Sequence, residues 1–63
     1  MSARETMVIL KLPWGTTKSD RLPSKRAARA RADELVGLYR KHLALGVTED
    51  SDGDLIVQEV EHA

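Results

Sequence analysis

Apolar residues fall in three bursts along the chain, separated by polar stretches. The first is TMVILKL, Thr6 to Leu12, short, rich in branched side chains and closed by Pro13. That pattern predicts a strand. Val8, Leu10 and Leu12 share one of its faces and Met7, Ile9 and Lys11 the other. Both faces are largely apolar, so both are expected to be covered.

The second burst has a helical period. Ala28, Ala32, Leu35, Val36, Tyr39 and Leu43 recur three and four positions apart. Arg26, Arg29, Asp33, Glu34, Arg40 and Lys41 occupy the opposite side. The spacing predicts a long amphipathic helix over 24–45, packed on a sheet. Ser24 stands at its N-cap position and Gly46 at the position that would end it in a left-handed conformation. His42 lies at the edge of the apolar stripe and is expected to pack there. The third burst, LIVQEVE from Leu55 to Glu61, predicts a second strand.

The connections are unequal. Residues 13–23, PWGTTKSDRLP, are dense in turn formers and have no period, so they are expected to form a long loop. VTEDSDGD, Val47 to Asp54, is an acidic turn. Residues 1–5 are polar and expected to be disordered.

Strand, loop, helix, turn, strand is the order of a small α+β domain, 1–63, with a parallel crossover between its two strands. Two strands make no stable sheet by themselves. The sheet is therefore expected to be completed by dimerisation or on a partner's edge. Length points the same way. A chain of 63 residues buries only about 60 % of its unfolded surface. With no cysteine, neither a disulfide nor a thiolate metal site supplements that core. Association is the remaining supplement. The lack of cysteine, of a spanning apolar run and of a secretory signal places the expected location in the cytoplasm, away from membranes.

Charge changes the picture. The net charge is zero, yet all ten Lys and Arg lie in residues 1–41, with only Glu5, Asp20, Asp33 and Glu34 against them, for +6. Residues 42–63 carry Glu49, Asp50, Asp52, Asp54, Glu59 and Glu61 and no Lys or Arg, for −6. Such asymmetry points either to an electrostatic partner or to neutralisation of one half by the other within the fold. Lys25, Arg26, Arg29 and Arg31 crowd the helix start, where the dipole favours anions. Something negative is therefore expected to meet them: Glu59 and Glu61 of the last strand, a partner's carboxylates, or phosphate.

Candidate chemistry is thin. TEDSDGDLIVQE places Asp50, Asp52, Gly53 and Glu59 at calcium-loop spacing, but Thr48 stands where the first aspartate is required. WGTTKS lacks the glycine that a phosphate loop needs before Lys18. His42 and His62 have no ligand spacing. No nucleophile–base pair stands out, so neither catalysis, metal nor cofactor is expected. Trp14, between Pro13 and Gly15, is expected to cap the core, and if exposed would serve as an interface anchor.

These readings predict a non-enzymatic binding protein, an inhibitor or adaptor of the kind found among small phage and bacterial regulators. It would act through protein–protein contact as a homodimer, using Arg26, Arg29, Arg40, Lys41 and Trp14. The alternative is a small dimeric DNA-binding regulator using the basic face of helix 24–45. Its neutral charge and the shortage of aromatic platforms weigh against that alternative.

Overall fold

The computed structural model describes residues 5–60. The elements in chain order are β1 (Thr6–Lys11), β2 (Thr17–Leu22), α1 (Lys25–Leu38), β3 (Leu45–Glu49) and β4 (Leu55–Glu59). The fold is a small α+β one: a single four-stranded mixed sheet, order β2-β1-β4-β3, with α1 packed on one face. β1 and β4 are parallel, and each forms an antiparallel hairpin with its sequence neighbour. The expected disorder of residues 1–5 lies, Glu5 apart, outside the described residues.

Both hairpins turn in the same way. In each, one main-chain bond closes the ladder, Leu12 N–H to Thr16 C=O and Asp50 N–H to Asp54 C=O, both at 2.8 Å. Inside each, a glycine N–H returns to the residue three earlier, Gly15 to Leu12 and Gly53 to Asp50. Gly15 and Gly53 have φ of 94° and 89°, a region where a side chain costs strain. Pro13-Trp14-Gly15 and Ser51-Asp52-Gly53 are thus three-residue loops with glycine at the left-handed position.

The segment 13–23 is therefore not the expected long loop. It contains the first turn and then β2, whose sequence TKSDRL shows no apolar alternation because it is an edge strand, exposed along nearly its whole length. Main-chain pairing to β1 holds it, and that pairing leaves no mark on side-chain hydropathy.

The helix is also shorter than expected. It ends at Leu38, with Tyr39 as C-cap, and residues 39–42 form successive turns. Leu45, which the sequence reading places at the end of the helix, and Val47, which it places at the start of the acidic turn, alternate instead as the inward residues of β3, which takes residues 47–49 out of that turn. Gly46 is a strand residue, not a helix stop. Val60 Cγ2 lies 2.8 Å from where a Cβ on Gly46 would stand, so the glycine makes room for that side chain. His42 is exposed rather than packed.

Four strands come from one chain, so the shortage of strands that called for completion by a second copy is met internally. Val8, Leu10, Leu12, Leu45, Leu55 and Val57 from the sheet meet Ala28, Ala32 and Leu35 from α1 in one core. Ala28 and Ala32 are wholly buried; their small side chains let the helix lie close to the strands. Ser24 Oγ accepts the Ala27 N–H at 3.1 Å and caps α1 as its position predicts. Ser24→Ala should lower stability by about 1 kcal/mol, read from the urea midpoint. An unchanged midpoint would show that another group takes over the cap.

Candidate functional site

The hairpins decide which charges meet. β2 carries the chain back before α1 begins, so the helix start lies at the end of the sheet where β4 begins. Glu59, at the far end of β4, is therefore not the acid that meets the helix start, and Glu61 lies outside the described residues. Lys25 Nζ instead reaches Glu49 at 2.6 Å, from the end of β3. Arg31 Nε donates to Asp20 Oδ2 on β2 at 3.2 Å, and its Nη1 pairs with Glu34. The Asp20 hydrogen bond pushes the Arg31 guanidinium above its ordinary pKa, against desolvation and with help from the charges of Glu34 and Asp20. Arg31 thus stays cationic at any working pH and serves to tie α1 to β2.

The residues singled out from sequence do not form one patch. Arg26 and Arg29 are exposed near the start of α1 and make no ion pair among the described residues. Asp33 shares their side of the helix, one turn beyond Arg29, and interrupts the basic row. Arg40 and Lys41 lie past the helix end, in the turns that lead to β3. A helix of 14 residues spans about 21 Å, which separates the two pairs. Trp14 is 60 % exposed at the tip of the β1–β2 turn. It does not cap the core; Leu12 closes that end instead, 8 % exposed. Trp14 shares an end of the sheet with Arg40 and Lys41, because the cleft by Leu10 and Lys18 is lined by Leu38 and Tyr39 at the helix end.

The carboxylates of Asp50, Asp52 and Asp54 lie within 4.8 Å of one another. Two of them serve the main chain. Asp50 Oδ1 accepts the Asp52 N–H at 2.6 Å, and Asp54 Oδ1 accepts the N–H of Met7, at the start of β1, at 3.1 Å. This acidic turn thus stitches the two hairpins together.

The feature that sequence reasoning missed is the outer face of the sheet. Residues opposite one another in a ladder share a face. The registers therefore put Met7, Ile9, Lys11, Thr17, Ser19, Arg21, Gly46, Thr48, Ile56 and Gln58 on the side away from α1. Met7, Ile9 and Ile56 are adjacent and half-buried. Val60, 45 % exposed, follows them beyond β4 against Gly46. No described element covers this surface, although the two-faced apolar pattern of β1 predicted cover on both sides. The acids of the strands, Asp20, Glu49 and Glu59, all lie in the helix-side register. Lys11 and Arg21 are the charges of the outer one. Its signal in the sequence was Met7, Ile9 and Ile56 at the second phase of two strands, legible only once those strands are known to pair.

Comparison with family models, with curated proteins and with solved structures gives no match to this chain. Among the described residues no helix is long and apolar enough to cross a membrane.

Proposed function

We propose that the protein is a non-enzymatic binding module that docks a protein partner on the outer face of its sheet. The observation that carries this reading is the cluster Met7, Ile9 and Ile56 on a face that no described element covers, with Val60 beyond Gln58 on the same side, flanked by Lys11 and Arg21 and free of strand acids. An apolar centre with a charged rim is the anatomy of an interface. The fitting partner presents an apolar ridge edged by Asp or Glu, since like charges across the contact are penalised. Inhibitor and adaptor roles both follow from such docking. Trp14, Arg40 and Lys41 supply a further exposed anchor at one end of the sheet.

The test compares baits in affinity capture from the native host: the wild type, Ile9→Glu, and the double variant Arg26→Glu/Arg29→Glu. Loss of the captured protein with Ile9→Glu alone, at an unchanged unfolding midpoint, is the expected result. Loss with the helix variant alone would move the site to α1. Duplex DNA affinity that falls steeply with salt and vanishes in the helix variant would establish the nucleic-acid reading instead.

A further inference from the structure

We infer that the free edge of β2 is a self-complementary surface that pairs with β2 of a second copy of this chain. This edge is separate from the outer face, so the inference stands or falls independently of the docking proposal.

The main chain comes first. In an antiparallel ladder, alternate residues turn their N–H and C=O toward the neighbouring strand. The Leu12 to Thr16 bond and the unbroken register set the phase, so Lys18, Asp20 and Leu22 bond β1. Thr17, Ser19 and Arg21 turn their N–H and C=O groups outward. These are edge groups that no described strand pairs. A twofold axis at Ser19 sets Ser19 against Ser19 of the partner subunit and Thr17 against Arg21 of the partner subunit. In that register every outward group finds a bond.

The side chains select the same register. It places Lys18 opposite Asp20 of the partner subunit, and the reverse, in the closer, non-hydrogen-bonded pair positions. Lys18 has no ion pair among the described residues, and Asp20 is already held in place by Arg31. A twofold axis at Lys18 would set lysine against lysine, and one at Asp20 would set aspartate against aspartate. One symmetric register is attractive and both its neighbours are repulsive, which is how an edge strand specifies its pairing. The other free edge, β3, has no such logic. There the outward groups belong to Leu45, Val47 and Glu49, and the symmetric register sets Glu49 against Leu45.

A third observation lies beside the same edge. Leu38 is 70 % exposed and lines a cleft with Leu35, Tyr39, Arg31, Lys18 and Asp20. Joining two β2 edges brings the two clefts to one side of a continuous sheet, with the axis between them. The exposed Leu38 then lies close to the joined edge.

Light scattering or sedimentation of the full chain tests the inference. The wild type should show the mass of two chains. Lys18→Asp and Asp20→Lys should each show one chain, and their equimolar mixture two, because each mixed pair again joins opposite charges. Ser19→Pro, which removes an outward N–H and no bond to β1, should show one chain with its unfolding midpoint kept. If Asp20→Lys fails to fold without its Arg31 partner, Lys18→Asp and Ser19→Pro still decide. A wild type with the mass of one chain, variants that stay paired, or a mixture of folded variants that does not re-form the two-chain species would each overturn it.

Discussion

Leu55→Ala should bring the protein to the edge of unfolding. Leu55 is fully buried at the start of β4, between β1 and β3 and beneath α1. It is opposite Val8 in one ladder and Glu49 in the other. Removing a buried leucine beyond its Cβ forfeits its transfer free energy and leaves a cavity, for about 2–5 kcal/mol. Natural domains hold roughly 0.05–0.15 kcal/mol per residue, so a chain this short has only about 3–9 kcal/mol in all. In a domain of this size each kcal/mol shifts Tm by about 4–8 °C. Thermal and urea unfolding followed by circular dichroism check the result. A loss below about 1 kcal/mol would mean that the sheet and helix do not close over this position as described.

The second large effect is expected from Asp54. Its carboxylate spans the sequence from the β3–β4 turn to the first strand by accepting the Met7 N–H at 3.1 Å. That N–H points toward β4 but lies one residue before the parallel ladder begins at Val8 and Leu55. Without the carboxylate it loses its bond at a half-buried site. Hydrogen bonds to a charged group contribute about 1.5–3 kcal/mol, so Asp54→Ala should destabilise by about that amount. Asp54→Asn keeps an oxygen in place and should cost clearly less. The same unfolding measurement, with hydrogen exchange at Met7, separates the two. Equal loss for both variants would show that the negative charge matters and the bond geometry does not. Faster exchange at Met7 in Asp54→Ala locates the effect at β1.

The fold gives two of the basic residues near the helix start their partners. The basic helix start appears unfavourable to the dipole when read as an isolated helix. In the folded chain the β1–β2 hairpin delivers that start to the end of the sheet where the acidic turn and the end of β3 lie. Lys25 then meets Glu49, and Arg31 meets Asp20 and Glu34. Among these pairs only Lys25–Glu49 joins the basic half to the acidic one, because Asp20 and Glu34 belong to the basic half. Such exposed pairs contribute little each. Lys25–Glu49 and Arg31–Asp20 join the helix to the sheet, and Arg26 and Arg29 are exposed.

The sequence by itself determined the elements whose side chains face a core. The short branched, apolar runs in TMVILKL and LIVQEVE predicted β1 and β4, and the strand–helix–strand order predicted their parallel relation. Ser24 marked the helix start, and Ala28, Ala32 and Leu35 its buried stripe. These positions are legible because burial imposes a period on hydropathy, two for a strand and 3.6 for a helix. What only the tertiary structure decided is what main-chain pairing holds. β2 is polar as far as Leu22, because an edge strand held by main-chain pairing needs no continuous apolar face. β3 escapes a reading that makes Leu45 the end of the helix and Val47 part of the acidic turn, although Leu43, Leu45 and Val47 alternate with the period of a strand. From those two strands follow the full width of the outer face, the carboxylates that meet Lys25 and Arg31 from the sheet, and the outward groups of Thr17, Ser19 and Arg21. All depend on register between segments far apart in the chain, and register is a property of pairs that no single segment carries.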